Sequence, residues 1–454
     1  MSVTGGTGVD AITFITSVLT NVTVDGGTNT GDSIAAVASF AANTATFKDM
    51  DTVTLSAQTA DATGVGFAIT GTTATAVTLP AANSIISSTS TALTTLSGTA
   101  AKTLALSGTG AFAVSGLTTG AITSTGSGAL TVTSVDTQTV TSASATTVDL
   151  TGVGASKTLT VDGAGAFTVT GLGIGSTAGT VTEGNVHTGA LTVTTSSTVA
   201  NAVTEVAGTN AGNIGAVTVN VVGTGLTTWT ALTNHASHTG TMGAGTSLTI
   251  ADASTATTYG VTMTGASTHV YIGDTNNAAV DTITATNATG TTTITPNLGN
   301  DIVALGGAVD TVIFAATLAL NGADTITAFT SGTDKLNLNA LTTTTAYDST
   351  AASTQNVFTT GTQAVTIAAD KLYVVTTATV GGADTTAAAA TAISAGAAWT
   401  NATTGNIAYF VVVDNNSSSV WSMTEAAGTE VETTELTLMG TIDATLVTGD
   451  IVIA

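Results

Sequence analysis

The chain has no cysteine, two prolines and only five lysines plus arginines in 454 residues. Without cysteine there is no disulfide and no thiolate metal site, so an exported form of this chain must be held by packing and by oxygen-ligated metal. Five basic residues against 28 acidic ones give a net charge of −23. That balance excludes the basic footprint of nucleic-acid binding and electrostatic docking on anionic lipid. No apolar run is long enough for a membrane-spanning helix. Met1 leads into SVTGGTGVDAI rather than a basic segment and an apolar core, so neither membrane insertion nor a Sec-type signal is expected. Chemistry is scarce too. There is no HExxH, no GxSxG and no phosphate loop, and His235 and His238 form an isolated HxxH pair in a Thr-rich stretch that reads as plain loop rather than zinc site.

What fills the chain is Ala, Thr, Val and 51 glycines, with aromatics at 4% and charged residues at 7%. Thr and Val suit a pleated surface, and frequent glycine suits frequent corners. Residues 51–270 carry an internal repeat: KTLALSGTGAFAVSGL from Lys102 to Leu117 returns as KTLTVDGAGAFTVTGL from Lys157 to Leu172, and GALTV at 128–132 returns at 189–193. Strand-like starts near Thr103, Ala121, Thr139 and Thr158, and near Ala111, Ala129, Thr147 and Ala166, suggest coils of about 18 residues whose small alternating residues stack rung on rung. The expected architecture is all-β: a parallel β-solenoid or β-roll. Tandem β-sandwich domains are the alternative, because short strands at this spacing are also their signature. Trp229 and Tyr271 read as isolated packing aromatics.

The most informative stretch runs from Leu298 to Leu338: LGNDIVALGGAVDTVIF, then NGADTITAFTSGTDKLNL. Asp301, Asp310, Asp324 and Asp334 recur beside glycines, and Asp310 and Asp324 each precede Thr and a β-branched residue. Nine residues separate Asp301 from Asp310, the step of a Gly/Asp nonapeptide repeat whose turns offer carboxylates and carbonyls to calcium, a hard cation that takes ~6–8 oxygen ligands. The plainer reading is that each Asp hydrogen-bonds local backbone. Asn300, Asp274 and Asp281 extend the candidate ligand set, with Asp281-Thr-Ile repeating the pattern; Asp10, Asp25 and Asp32 form a fainter copy in residues 1–50. In that segment GDSIAAVASFAANTATF has Ile34, Val37 and Phe40 at helical spacing, so a short helix is expected there.

The expected organisation is therefore an N-terminal segment over 1–50, a Thr/Ala/Gly/Val solenoid over 51–270, a calcium-type roll over 271–344 and a small β-rich cap over 345–454. The cap holds an Ala-rich helix near 383–398, strands at Tyr409–Val413, Val420–Met423, Glu435–Met439 and Asp450–Ile453, and a concentration of aromatics at Tyr347, Phe358, Tyr373, Trp399, Tyr409, Phe410 and Trp421. A cap of this kind covers the open β-edge of a solenoid.

GNDIVALGGAVDTVIF resembles the calcium repeats of RTX proteins, and NGADTITAFTSGTDKLNL is similar to the segment that follows such repeats in type I-secreted proteins. The Ala-rich helix and AYFVVVDNNSSS resemble the C-terminal region of RTX-type surface-layer proteins of Gram-negative bacteria. The resemblance implies calcium as cofactor, an uncleaved C-terminal secretion signal that the final Asp450-Ile-Val-Ile-Ala fits, and an extracellular, cell-surface location. It also implies a structural, non-enzymatic role in which the chain partners itself in a sheet or filament, with cell-surface polysaccharide as a second expected partner. An adhesin or glycan-binding module is the alternative function. A polysaccharide lyase is a distant third, since such enzymes need basic residues where this chain has almost none.

Overall fold

The computed structural model describes the whole chain except residues 15–20, 37–44, 56–64, 80–83, 99–102, 117–120, 134–138, 151–156, 173–177, 197, 206–214, 231–236, 244–245, 251–257, 267, 276–277, 317, 342–355, 360–363, 368–371, 378–384, 397, 402–404, 406, 427–430 and 454. The protein is an all-β solenoid of stacked parallel sheets with one helix and a β-rich C-terminal part. It divides into two compact units: Met1–Thr227 with Asn234–Ser237, and Thr228–Thr233 with His238–Ala454. In each unit the chain alternates between two sheets. Every coil lays one short strand in a first sheet, turns a corner, and lays the next in a second sheet. The parallel pairing overturns the sandwich alternative, whose sheets are antiparallel.

Alternation explains the layering. In Leu130–Thr133 and Thr146–Asp149 the buried residues are Leu130, Val132, Thr146 and Val148, while Thr131 and Thr147 are exposed. Side chains of one parity stack inward as columns of Val, Leu, Ile and Phe. The repeat copies occupy equivalent places. In the second sheet Phe112 pairs with Leu130, Leu130 with Thr146, Thr146 with Phe167 and Phe167 with Leu191, so the two repeated Phe and the two GALTV leucines stand in one buried column. In the first sheet Leu104 ladders through Ile122 and Val140 to Val161, whereas the sequence repeat aligns Leu104 with Leu159. The slip is two residues, which keeps the same face inward.

The period is less regular than the sequence suggests. Steps of 18 hold from Thr94 to Phe112 and from Phe112 to Leu130, but the step from Leu130 to Thr146 is 16 and that from Leu191 to Val217 is 26. Corners absorb the difference while strand lengths stay short. The ladder also runs unbroken past residues 50 and 270: Ser33 pairs with Thr52, and His269 with Thr292. The helix expected after Gly31 is instead the strand Ser33–Ala36, clamped between Ala11–Phe14 and Thr52–Thr54 with Ile34 buried; ladder pairing overrides local helical spacing there. Residues 37–44, including Val37 and Phe40, lie outside the described residues.

Inward residues are not uniformly small. Trp229 is fully buried, with its ring 5.4 Å from Tyr259 and 5.7 Å from His238, and Tyr271 is fully buried. His238 is thereby an aromatic packing partner of Trp229; His235 lies outside the described residues.

The C-terminal part closes the second unit. Leu372–Thr376 and Ile407–Val413 pair in parallel, and Ile407–Val413, Ser418–Thr424 and Leu436–Ile442 form an antiparallel meander. Leu436–Ile442 then continues the second sheet beside Asp324–Thr327, and Ile451–Val452 continues the first beside Lys335–Asn337. The edges of the last coil are thus covered. The helix Thr386–Gly396 buries Ala389 and Ile393 against Tyr373, Phe410, Trp421 and Met423. Tyr347 lies outside the described residues. Among the described residues no helix is long and apolar enough to cross a membrane.

The stacked column makes a direct prediction. Phe167→Ala is expected to cost about 3–5 kcal/mol through loss of a buried ring and the cavity left behind, whereas Thr168→Ala, one residue on and facing out, should change stability by less than about 0.5 kcal/mol. Denaturant unfolding of the two variants checks this, and equal effects would place Phe167 outside the core.

Candidate metal centre

Seven of the ten candidate ligands, Asp10, Asp32, Asp274, Asp281, Asn300, Asp301 and Asp334, fall at corners, Asp310 and Asp324 are the first residues of strands, and Asp25 is the last residue of one. In the second sheet Asp10, Asp32 and Asp51 occupy one column position, and Asp281, Asp301 and Asp324 occupy the same position in the second unit. Except for Asp10, each carboxylate reaches to the neighbouring coil and accepts a backbone N–H there. Asp32 Oδ1 accepts from Asp10 N (2.8 Å) and Asp51 Oδ2 from Asp32 N (3.0 Å). Asp281 Oδ1 accepts from Tyr259 N (2.8 Å), Asp301 Oδ1 from Asp281 N (2.7 Å) and Asp324 Oδ1 from Asp301 N (3.0 Å). The first sheet repeats the arrangement: Asp310 Oδ1 accepts from Thr292 N (3.1 Å) and Asp334 Oδ1 from Asp310 N (2.9 Å).

The coils without aspartate show what these carboxylates replace. There the column residue donates its N–H to the carbonyl just before the next column residue: Thr94 to Ala111, Phe112 to Ala129, Leu130 to Ala145 and Phe167 to Ala190, at 2.7–3.2 Å. Where a corner instead ends in a turn, with Gly31 at φ +99 before Asp32 and Gly299 at φ +139 before Asn300 and Asp301, a side-chain oxygen takes the carbonyl's role. Gly299 must be glycine on two counts, because a Cβ there would lie 2.6 Å from Asp301 Oδ1 and 2.5 Å from the Ala279 carbonyl.

The second oxygens differ. Asp10, Asp310 and Asp334 use theirs to hold an N–H four residues back in their own corner: Gly6 (2.6 Å), Gly306 (2.8 Å) and Thr330 (2.7 Å). Asp32 Oδ2 and Asp301 Oδ2 are buried with no hydrogen-bond partner. Burial, the largest influence, raises the Asp301 carboxyl to about 8, helped by the nearby Asp324 and Asp274 charges, and raises Asp324 to about 7. Asp334 is raised in the same sense by burial. Asp274 is itself buried at its corner. The fully buried Tyr271 hydroxyl holds its proton far more tightly than usual, first through burial and then through Asp281, Asp301 and Asp274.

Two candidates stand apart. Asp25 faces outward, where Lys48 on the next coil donates to Oδ2 (2.7 Å), and that ion pair holds its carboxyl below the usual range. Asn300 is exposed and its Oδ1 accepts from Ala323 N (2.8 Å). The sequence reading missed three members of the set. Asp51-Thr52-Val53 repeats the Asp-Thr-β-branched signal but lies across the supposed boundary at residue 50. Asp450 accepts from Gly332 N (2.7 Å), Ser331 Oγ (2.7 Å) and Val447 N (2.9 Å), and Asp443 accepts from Ala328 N (2.7 Å) and Phe329 N (3.1 Å). The terminal acidic-apolar run is thereby an ordered part of the last coil.

As a metal centre the set offers the right donor type, hard carboxylate oxygen, and two buried oxygens without partners at Asp32 and Asp301. Among the described residues no three carboxylate or imidazole side chains converge on one point, so backbone carbonyls must supply most of any calcium shell. No family model, curated protein or solved structure matches the chain.

Asp301 separates the two roles. In chelator, Asp301→Asn keeps an Oδ1 acceptor for Asp281 N and removes the unpartnered carboxylate oxygen, so it should be at least as stable as the parent. Asp301→Ala leaves the buried N–H unpaired and should cost about 1–3 kcal/mol. Hydrogen exchange at the Asp281 amide reads the difference; equal exchange in both variants would remove Asp301 from the ladder. The raised carboxyls also fix a pH dependence. Asp301 and Asp324 hold protons in the folded chain that the unfolded chain releases near pH ~4. Metal-free stability should therefore be fully present at acid pH and fall as pH rises from about 4 through about 7 and 8. A metal-free melting temperature that rises over that window would show these carboxyls to be ionised and satisfied.

Proposed function

We propose that this chain is a structural subunit that assembles with copies of itself outside the cell, as a surface layer, filament or sheath, with calcium stabilising its aspartate-lined coils. The observation that carries this reading is the parallel ladder whose corners bury columns of carboxylates, two of them, Asp32 and Asp301, with an oxygen in need of a proton or a cation. Asp32 and Asp301 would each hold an ion with the carbonyls of its own corner, and Asp324, Asp281 and Asp274 would stand behind Asp301. Calcium would supply neutralisation of charge that folding otherwise buries, and binding would thereby be coupled to folding. In a medium poor in calcium the coils at 281–334 are weakened by those charges; in one rich in calcium they are not. The fold's long ladder suits self-assembly, since a solenoid presents the same surface chemistry coil after coil.

Electron microscopy of the purified chain in calcium and in chelator tests this. Ordered sheets or filaments in calcium are expected, with a stabilisation of about 2.7 kcal/mol at a calcium concentration a hundredfold above its dissociation constant. Ordered assemblies in chelator as well would keep the structural role and remove calcium from it. Monodisperse particles in both conditions would overturn self-assembly and favour the glycan-binding alternative.

A further inference from the structure

Resting on the self-assembly reading, we infer which surface joins two copies: the outer face of the second sheet between Leu93 and Asn220, docking on the same face of a second chain. Seven consecutive strands of the first unit build it, from Thr94–Ser97 to Val217–Val221, all parallel and in register except for one shift between Val169 and Leu172. Three of the strands present one motif outward, Ala129-x-Thr131-x-Thr133, Ala166-x-Thr168-x-Thr170 and Ala190-x-Thr192-x-Thr194, and the other four present close variants of it, such as Ala145-x-Thr147-x-Asp149 and Ala216-x-Thr218-x-Asn220. The pairs Thr131–Thr147, Thr147–Thr168 and Thr168–Thr192 make the middle column an almost continuous Thr stripe. Threonines stacked this way fix one another's rotamers, so little side-chain freedom remains to be lost on docking.

Charge selects the occupant. In a chain of net charge −23, these three outward columns of seven residues contain a single charged side chain, Asp149. The chain's acidic groups instead gather at corners, as in the Asp10–Asp32–Asp51 column. Two copies meeting through this face bring almost no like charge together, whereas a highly charged partner would find nothing here to pair with. The size is adequate. Seven strands ~4.8 Å apart, each presenting five residues of ~3.3 Å, span roughly 550 Å² per copy. A face-to-face pair therefore buries at least about 1,100 Å², enough for a specific contact.

The test compares Thr131→Glu with Thr168→Glu, made together, against the same pair of substitutions on the outer face of the first sheet at Thr123 and Thr160. Both variants carry identical net charge. The second-sheet variant is expected to raise the concentration at which assemblies form by at least about tenfold, one like-charge penalty per contact, while the first-sheet control assembles as the parent does. Because the chain has no cysteine, Thr168→Cys gives a unique thiol and an independent readout. Its labelling should be rapid in dispersed protein and lost on assembly, with Thr160→Cys reactive in both states. A parent chain that assembles while Thr168→Cys stays reactive, or while both Glu pairs behave alike, overturns this face and leaves self-assembly standing. A parent chain that never assembles, or whose Thr168→Cys thiol is shielded only by added polysaccharide, overturns both.

Discussion

A parallel coil must find acceptors for its backbone N–H groups on the rungs to either side, and that requirement governs this molecule. Inside strands the ladder meets it automatically. The difficulty arises at the first residue after each corner, whose N–H points at a place where the neighbouring chain is only just arriving. Two solutions coexist. At some corners an alanine carbonyl is there to accept, as Ala129 and Ala190 do. At others the side chain of aspartate stands in, as Asp281, Asp301 and Asp324 do. Both leave the donor satisfied, which a buried position demands. The acceptor used at a corner thus goes with the charge of the column residue: aspartate where a side chain accepts, an uncharged residue where a carbonyl does.

That rule accounts for the distribution of charge. The same column position of the second sheet reads Asp10, Asp32, Asp51, Thr75 and Thr94 and then turns apolar at Phe112 and Leu130, while in the second unit it passes from Tyr259 to Asp281, Asp301 and Asp324. A column that is hydrocarbon in one stretch and carboxylate in another needs no change of fold, because the backbone path and the inward parity are common to both. The two-residue slip between the repeat copies in the first sheet makes the same point: parity is conserved where register is not.

Much of this was legible in the sequence. Alternation and the KTL and GALTV echoes carried the solenoid, and the two Phe and two Leu they align do share a column. The Asp-Thr-β-branched tripeptide correctly located strand starts at Asp281, Asp310 and Asp324. The nine residues between Asp301 and Asp310 join corners that enter different sheets, and the aspartates linked by carboxylate-to-N–H bonds are Asp281, Asp301 and Asp324 in one and Asp310 and Asp334 in the other, 20 to 24 residues apart. Corner length varies freely while strand pairing does not, so a fixed period could be read only where corners happen to be equal, around 94–130. Trp229, Tyr259 and His238 lie on three different strands, and no local pattern announces that their rings meet.

The substitution of carboxylate for carbonyl has an electrostatic consequence that the carbonyl does not. A carbonyl needs one donor and is content; a carboxylate brings a second oxygen and a charge into the same buried space. Asp310 and Asp334 settle both by turning the second oxygen onto an N–H of their own corner, Gly306 or Thr330. Asp301 does not, and its carboxyl is accordingly held protonated up to about 8. An asparagine there would have kept the acceptor for Asp281 N and removed the charge, with an NH2 donor in place of the second oxygen. Keeping aspartate makes the stability of these coils depend on the protonation of the second oxygen, and so ties a purely structural device to the pH around it. The neutral Thr columns of the first unit carry no such dependence: within one chain, the acidic corners respond to protons and the uncharged strands do not.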